Sequence, residues 1–441
     1  MNEVEEKVIP WITNDAIVIG LLFALLALVF ITASSESPGW KKFYRYVPTL
    51  LLCYFLPSIF ASIPIGGRPL ISGEHSNLYF VSSRYLLPAC LVLLCLSVDL
   101  KAILRLGPKA LIMFFTGTLG IVLGGPIALL IMLQIQPDAF SASGPDALWR
   151  GMTTVAGSWI GGGANQTAMK EIFGVGDQIF SAMIAVDVLC ANVWMAILLF
   201  MAGESDKIDE KFKADNSAIK SLQERLHNFQ EKVRKTPTFT DTIKILAVGF
   251  GIAGLAHLFA GLLAPFFKTT LPNWLDGAFG KTAAQISETM TWLSWTSGFF
   301  WLIVLATIGG VAISFTKWRN LEGYGASRVG SIFLYVLIAS IGMRMDISAI
   351  FKQPILFLIG FIWISIHAIL LLVVAKLIKA PVFFLAVGSQ ANVGGAASAP
   401  VVASAFHPSL APVGVLLAVL GYAVGTFGAW LCGLIMRGIA G

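Results

Sequence analysis

Six uncharged polar residues could do chemistry in this chain, because each lies beside a glycine cluster within a long apolar run. They are Asn165, Gln166, Thr167, Ser389, Gln390 and Asn392. Amide and hydroxyl oxygens, joined by backbone carbonyls freed where a helix breaks, suit Na⁺. The pattern predicts a sodium site with ligands from Asn165, Gln166, Gln390 and Asn392. The alternative is that these amides only restore hydrogen bonds lost at the helix breaks.

Two matching glycine motifs position these residues. Each reads Gly-Ser and then Gly-Gly-Ala, at Gly157-Ser158 with Gly162-Gly163-Ala164 and at Gly388-Ser389 with Gly394-Gly395-Ala396. Glycine loosens a helix at membrane depth, so backbone groups there can face a ligand. Paired interrupted segments indicate the midplane site of a transporter, whose helix N-termini attract an anionic group. We therefore expect Gly162, Gly163, Gly394 and Gly395 to contact a solute together with the six polar residues.

Asp187 is the one acidic residue in the apolar run 180–201. A carboxylate at that depth must be protonated, paired with a cation or hydrogen bonded. We expect it to couple transport to Na⁺ or H⁺, with Ser158, Asn165 and Gln390 as its companions. A structural hydrogen bond to the neighbouring helix is the alternative.

Catalytic patterns are absent, so no enzymatic activity is expected. The sequence has no metalloprotease, nucleophile-elbow or P-loop motif, and its five histidines are scattered. We interpret His257 and His367 as interior histidines with structural hydrogen bonds. The five cysteines stand singly in apolar runs, so we expect no disulfide and no cofactor, with Na⁺ as the coupling ion. No basic patch with interleaved aromatic residues indicates a nucleic-acid partner.

The composition is that of an all-α polytopic membrane protein. Of 441 residues, 57% are hydrophobic and 12% are charged, which is about half the charge of a soluble domain. Twelve apolar runs are long enough to cross a bilayer, which predicts about twelve transmembrane helices within a range of eleven to thirteen. They cover residues 15–31, 47–63, 79–98, 109–133, 153–169, 180–201, 243–267, 290–315, 328–342, 354–377, 381–405 and 412–436. The acidic N-terminus lacks a signal-peptide pattern, so we expect the first run to be retained.

A charged linker, residues 203–240, separates a first membrane half (1–202) from a second (241–441). The linker holds eight Lys/Arg and seven Asp/Glu residues, so it is solvated. Apolar residues recur at steps of three and four over 219–233, which predicts a short amphipathic helix. Either this helix packs on its own membrane domain or the bilayer surface, or it forms a coiled coil that makes a homodimer.

The two halves share an order of features that indicates duplication. Asp99 ends the third apolar run and Asp346 ends the ninth, and each is followed by a proline, an apolar run, a glycine cluster and another apolar run. The repetition predicts a gating role for Asp99 and Asp346. Ion pairing with the nearby Lys101 and Arg344 is the alternative.

The number of spans conflicts with the orientation that the basic residues favour. Six spans in each half would make the repeats parallel, whereas inverted repeats need an odd number. Basic residues put both the loop after the third run and the linker inside, yet three predicted crossings separate them. Either one run does not cross, or residues 267–288 contain a further crossing.

Outside the linker, the chain resembles an uncharacterised membrane family catalogued as domain of unknown function 819. The resemblance lies in Gly161-Gly162-Gly163-Ala164-Asn165-Gln166, Gly174-Val175-Gly176-Asp177, the Asp187 run and Gly388-Ser389-Gln390-Ala391-Asn392-Val393-Gly394-Gly395. That family is grouped with bile-acid:sodium symporters, glutamate:sodium symporters and cation:proton antiporters. The resemblance implies a panel domain and a core domain, in which discontinuous helices of inverted repeats, 153–171 and 381–405, cross at their unwound centres. It also places Asp187 where antiporter relatives hold an ion-binding carboxylate, but Val186 stands where electrogenic antiporters have a second acid.

These observations together predict a secondary-active transporter in the cell membrane, the inner or plasma membrane of a bacterium. It would move a small, anionic organic solute with Na⁺, or with H⁺, by alternating access around the midplane site. Cation/proton antiport through Asp187 is the first alternative. A non-transporting membrane scaffold or receptor that relies on the linker is the second. The expected partners are the solute and the lipid bilayer.

Overall fold

Capping residues set where several of the helices begin. The structure is a computed structural model that describes residues 9–47, 49–136, 143–214, 236–345, 354–407 and 410–440. Asn14 caps the first helix, and Thr238 forms a capping box with Asp241 at the start of the second half. These side chains bind backbone N–H groups that a helix end leaves unpaired. The predicted linker helix at 219–233 and Asp346 lie outside the described residues.

The first half is helical apart from one short antiparallel ribbon, β1 (Pro64–Ile65) with β2 (Arg68–Pro69), in its described residues. Its helices are α1 (Asp15–Ala33), α2 (Pro38–Tyr46), α3 (Thr49–Ser62), α4 (Leu78–Val81), α5 (Leu87–Leu96), α6 (Leu100–Leu104), α7 (Pro108–Ile135), α8 (Leu148–Ile172), α9 (Asp177–Gly203) and α10 (Ser205–Phe212). A π-helical turn, Ser82–Leu86, joins α4 to α5, so the two form one span.

The second half is helical throughout its described elements. Its helices are α11 (Phe239–Pro265), α12 (Leu271–Trp274), α13 (Ala283–Trp292), α14 (Gly298–Ser314), α15 (Ala326–Gly342), α16 (Ile355–Leu377), α17 (Val382–Val393), α18 (Gly395–Phe406) and α19 (Ala411–Ala440). A π-helical turn, Phe266–Thr270, continues α11 into α12, and 3₁₀ turns lie at Ala278–Gly280 and Lys317–Tyr324.

Packing divides the helices into two groups. In the α5 group, α5 packs against α11, α14 and α15, and α3 packs against α1 and α15. In the α19 group, α19 packs against α8, α17 and α18, while α7 packs against α16 and α17. Helix α9 contacts α8, α16 and α17. Both predicted glycine clusters lie in the α19 group.

Helix α8 turns back on itself instead of crossing the protein. Its 25 residues would extend about 37 Å in a straight helix. The rings of Trp149 and Phe173, at its two ends, are nevertheless 5.9 Å apart. Gly162 makes the turn with a φ of 74° and a ψ of −174°, a conformation that is essentially confined to glycine. We name residues 148–172 hairpin 1.

Helices α17 and α18 form a second hairpin. The rings of Phe383, near the start of α17, and Phe406, at the end of α18, are 5.4 Å apart. The break falls at Gly394, and Gly395 takes a φ of 58°. We name residues 382–406 hairpin 2. Its base contacts the start of the linker, since the Val382 N–H donates to Asp209 of α10 at 2.8 Å.

The two hairpins approach α19 from opposite ends. Near the C-terminal end of α19, a methyl group added at Gly433 would meet Thr153 and Phe173, which belong to the open end of hairpin 1. Near the N-terminal end, a methyl group added at Gly414 would meet the backbone of Ala399 in hairpin 2. Hairpins 1 and 2 therefore enter the protein from opposite sides.

The turns of the two hairpins meet near the middle of α19. A methyl group added at Gly421 would lie 2.7 Å from the Ile160 carbonyl oxygen of hairpin 1 and 3.5 Å from the Ala391 carbonyl oxygen of hairpin 2. One turn further along, a methyl group at Gly425 would lie 2.5 Å from the Gly161 Cα. Both breaks are thus held against the backbone of a single helix.

The described residues contain seven helices long and apolar enough to cross a membrane, or nine spans if two bent helix pairs each count as one. The predicted number of about twelve spans is not confirmed. Two of the predicted crossings, 153–169 and 381–405, double back as hairpins. The resemblance implied two discontinuous helices that cross the membrane, and that expectation is wrong because both segments turn back. The chain nevertheless breaks at the predicted glycines.

Candidate functional site

Asn165 ties the turn of hairpin 1 to α19. Its Nδ2 donates to the Gly161 carbonyl at 3.0 Å and to the Tyr422 carbonyl at 3.2 Å. Its Oδ1 accepts a hydrogen bond from Thr426 Oγ1 at 2.6 Å. Both amide protons and the amide oxygen are therefore engaged within the protein.

Asn392 ties the turn of hairpin 2 to α7 with the same set of bonds. Its Nδ2 donates to the Gly388 carbonyl at 2.9 Å, four residues earlier, and to the Phe114 carbonyl at 3.0 Å. Its Oδ1 accepts from Thr118 Oγ1 at 2.8 Å. In both cases the threonine follows the aromatic residue by four positions. The two asparagines thus make structural hydrogen bonds at the helix breaks, which was the alternative to a role as sodium ligands.

Asp187 lies on α9 and binds both arms of hairpin 1. Its Oδ1 accepts from Trp159 Nε1 on the first arm at 2.7 Å, and its Oδ2 accepts from Gln166 Nε2 on the second arm at 3.0 Å. The Ser158 side chain also lies near this carboxylate. The residue is buried, and neutral groups provide the described donors. A network of this kind fixes the angle between the arms, because one side chain binds both.

Ser389 binds two buried side chains around hairpin 2. Trp194 Nε1 of α9 donates to its Oγ at 2.7 Å, and His367 Nε2 lies 2.8 Å from the same oxygen. His367 Nδ1 is 2.9 Å from the Gly117 carbonyl, which can only accept, so Nδ1 carries the proton and Nε2 accepts from Ser389. His367 is therefore an interior histidine with both ring nitrogens bonded. Helix α9 contacts both hairpins, through Asp187 and Trp194.

Gln390 carries a buried oxygen that receives no hydrogen bond from the described residues. Its Nε2 donates to Ser398 Oγ at 2.7 Å, across the turn of hairpin 2, whereas its Oε1 has no partner. Gln166 differs, because its oxygen accepts from the Tyr54 hydroxyl at 3.4 Å. An unsatisfied buried acceptor costs about 1–3 kcal/mol. A bound cation or a donor group of a solute would remove that cost.

The remaining predicted residues divide between the turns and a distant loop. Thr167 Oγ1 donates to the Gly163 carbonyl at 3.0 Å, within the second arm of hairpin 1. Asp99 lies away from the turns, where it caps α6 through the Ala102 N–H at 3.0 Å and pairs with Arg319 at 2.9 Å. That arrangement is the ion pairing given as the alternative to gating, although its partner is Arg319 and not Lys101.

Sequence patterns do not reveal a group of ion pairs at the open end of hairpin 1. Lys170 pairs with Asp177 at 2.7 Å, Asp177 pairs with Arg344 at 2.9 Å, and Glu171 pairs with Arg84 at 2.8 Å. Arg84 and Arg344 belong to the α5 group, so these bonds cross between the two groups. Their partners are 87 and 167 residues apart in sequence, and no local spacing could link them.

Three aromatic residues also contact the site through hydrogen bonds that the sequence does not predict. Trp159, Trp194 and Tyr54 lie in apolar runs and look like core residues. Each nevertheless donates to a predicted site residue, which is Asp187, Ser389 and Gln166 respectively. The only available signal is the rule that a buried Trp or Tyr polar atom finds a partner. That rule gives no identity for the partner.

The chain is similar to a curated protein of Bacillus subtilis (strain 168) described as "Uncharacterized membrane protein YjcL". The two are 23% identical over 368 residues, which cover 80% of this chain and 82% of the relative. The profile of the family described as "Protein of unknown function (DUF819)" matches residues 20–439. Together with the apolar helices, these matches identify a multi-pass membrane protein that belongs to the DUF819 family.

Proposed function

We propose that the protein is a secondary-active transporter that carries a small, anionic organic solute together with Na⁺ across the plasma membrane of a bacterial cell. The observation that carries the proposal is the meeting of two hairpin turns, from opposite ends of α19, at Gly421. Non-helical backbone at membrane depth is tolerated where it is buried in protein or lines a cavity. Interrupted helices of this kind form the midplane site in secondary transporters.

The proposed topology has ten crossings, which are the nine possible spans together with the 17-residue α15. Five crossings belong to each half, because both hairpins are re-entrant. Corresponding helices of the two halves are then five crossings apart, which is an odd number, so the second half is inverted relative to the first. This inversion agrees with hairpins that enter from opposite ends of α19. It also puts the basic loop after α5 on the same side as the linker, as the positive-inside rule requires.

The sodium site of the proposal lies at the turn of hairpin 2. Within the described part of the chain, Gln390 Oε1 is buried without a donor, whereas the oxygens of Asn165 and Asn392 each accept from a threonine. Backbone carbonyls freed around Gly394 would complete the ligand set. The second arms of both hairpins begin at the turns, so their N-terminal dipoles favour an anionic group of the solute there.

Cation/proton exchange through Asp187 is the second candidate, and the burial of its carboxylate favours it. The hydrogen bonds oppose it. Both carboxylate oxygens already accept from the N–H groups of Trp159 and Gln166, and such bonds stabilise the ionised carboxylate against taking up a proton. Asp187 fits better as the residue that holds hairpin 1 together.

Thermal unfolding of the purified protein in Na⁺ and in K⁺, at equal ionic strength, tests the sodium site. We expect Na⁺ to raise the melting temperature of the wild type and of Gln178→Ala, which changes an exposed glutamine on α9. Gln390→Ala should lose this difference because it removes the unpaired oxygen. Equal stabilisation of the wild type by both ions would refute the sodium site.

Transport itself is tested in proteoliposomes with an imposed Na⁺ gradient and a panel of radiolabelled small carboxylates. We expect Na⁺-driven accumulation of at least one compound by the wild type and by Gln178→Ala, and much less by Gln390→Ala. If no compound accumulates under a Na⁺ gradient or a pH gradient, and none shifts the melting temperature, the protein is not a transporter of this class.

A further inference from the structure

A cavity of about 180 Å³ opens beside the base of hairpin 1, away from the turns. It lies where both ends of hairpin 1 meet the C-terminal end of α19 and the segment between α13 and α14. The residues that matter for its chemistry are Arg150, Phe173, Thr291, Ser294, Ser297 and Arg437. A single water needs only about 10–15 Å³ of such space, so the cavity can hold a larger group.

Two arginines face this cavity without a carboxylate to balance them. None of the lining side chains that the structure describes is acidic. The Arg150 guanidinium donates to the Phe173 carbonyl, and Arg437 Nη1 donates to the Trp292 carbonyl at 2.8 Å. The two positive charges act on one another. Like charges held together in this way favour an anion between them.

Arg150 also presents a buried donor that nothing in the described residues accepts. Its Nε has no hydrogen-bond partner, although its Nη1 is engaged. An arginine fork with free N–H groups matches the oxygens of a planar or tetrahedral oxyanion. The missing partner is therefore an acceptor that carries negative charge.

Hydroxyl groups and a helix end complete the positive surroundings. Ser297 is the N-cap of α14, and its Oγ accepts from the Phe300 N–H at 3.3 Å. The first turn of α14 therefore faces the cavity with the positive end of its dipole. Ser294 lines the cavity as well and takes a φ of 64°, in the left-handed region where glycine is the usual residue.

We propose that Arg150 and Arg437 form an oxyanion site for a phosphate group, which is either a lipid headgroup or a free small phosphate. The Cζ of Arg437 lies over the ring of Trp292, 5.9 Å from its centroid. Trp292 is partly exposed. Tryptophan and arginine together at helix ends are typical of the membrane interface, where both sources of phosphate are within reach. The proposal is independent of the transported solute and of the sodium site.

Titration of the full-length purified protein in detergent with three probes tests the site. The probes are inorganic phosphate, a short-chain phosphatidylglycerol and a short-chain diacylglycerol without phosphate. We expect the first two to bind the wild type, and Arg437→Gln to weaken that binding at least about tenfold through loss of a charged fork. Tighter binding of phosphatidylglycerol than of phosphate identifies a lipid headgroup, and the reverse order identifies a soluble phosphate.

Arg68→Gln is the matched control, because Arg68 of the β1–β2 ribbon also lies over a tryptophan, Trp11, at 5.7 Å but does not line the cavity. It should bind like the wild type. Arg437→Lys keeps the charge and should bind between the wild type and Arg437→Gln. Equal binding of diacylglycerol and phosphatidylglycerol, unchanged binding by Arg437→Gln, or equal loss in Arg68→Gln would each overturn the site. Arg150→Gln should weaken binding in the same way as Arg437→Gln. If Arg150→Gln does not fold, Arg437→Gln alone tests the site.

Discussion

At the scale of single residues, the amides near the turns have different functions despite their shared chemistry. Asn165 and Asn392 each make three hydrogen bonds, two of which connect a turn to α19 or α7. Gln390 makes one hydrogen bond, and its oxygen accepts none from the residues that the structure covers. Bonded amides stabilise the fold, whereas a free buried oxygen is available to a ligand.

This difference predicts separate effects on stability. In K⁺ buffer, Asn165→Ala and Asn392→Ala should each destabilise the protein by about 1–3 kcal/mol or more, because each leaves buried donors and acceptors unpaired. Gln390→Ala should cost less, since it strands only the Ser398 hydroxyl. Thermal or denaturant unfolding of the three purified variants measures this order. A Gln390→Ala variant as unstable as the asparagine variants would show that Gln390 is also a structural residue.

At the scale of elements, the turn of hairpin 1 depends on one backbone conformation. Gly162 has a positive φ with an extended ψ, which costs other residues about 1–3 kcal/mol. The neighbouring Gly163 has open space, since an added methyl group would lie 3.9 Å from a Leu334 methyl carbon.

Alanine at these two adjacent positions should therefore have opposite effects. We expect Gly162→Ala to lower stability by about 1–3 kcal/mol, and Gly163→Ala to be neutral or to stabilise by up to about 1 kcal/mol through helix propensity. Melting temperatures of the two variants provide the measurement. If Gly163→Ala is the more harmful change, the turn is not centred at Gly162.

The glycine clusters predicted where both helices break, because local sequence determines that property. Whether the chain continues or turns back depends on contacts between residues far apart in sequence, such as Trp149 with Phe173 and Phe383 with Phe406. Those contacts have no local signature. Asp187 was likewise predictable as a buried acid, whereas its donor Trp159, 28 residues earlier, was not.

At the scale of the whole molecule, re-entrant hairpins remove the conflict between the number of spans and the distribution of charge. If hairpin 1 is not a membrane crossing, only α7 and α9 cross between the basic loop after α5 and the linker. Both segments then face the same side, which the positive-inside rule makes the cytoplasm. In the proposed topology, the open end of hairpin 1 and the proposed oxyanion cavity face the opposite side.

Cysteine labelling in intact cells tests this orientation. Lys281→Cys and Lys42→Cys replace exposed lysines on opposite sides of the proposed topology, and the five native cysteines are buried. We expect a membrane-impermeant maleimide to label Lys281→Cys in intact cells, and Lys42→Cys only after lysis. Labelling of Lys42→Cys alone in intact cells would reverse the orientation, and labelling of both would contradict the ten crossings.

The glycines of α19 have a mechanical consequence. At Gly414, Gly421, Gly425 and Gly433 the hairpins contact bare backbone of α19, whereas buried side chains such as Leu417 and Leu420 pack between these positions. Interdigitated side chains would have to change rotamer before one element could slide past another. At the four glycines a moving hairpin meets no such side chain, and the hydrogen bonds of Asn165 with Tyr422 and Thr426 would have to break. In the proposed transport cycle, these glycines are therefore the positions of α19 at which a hairpin can shift with the least change in side-chain packing.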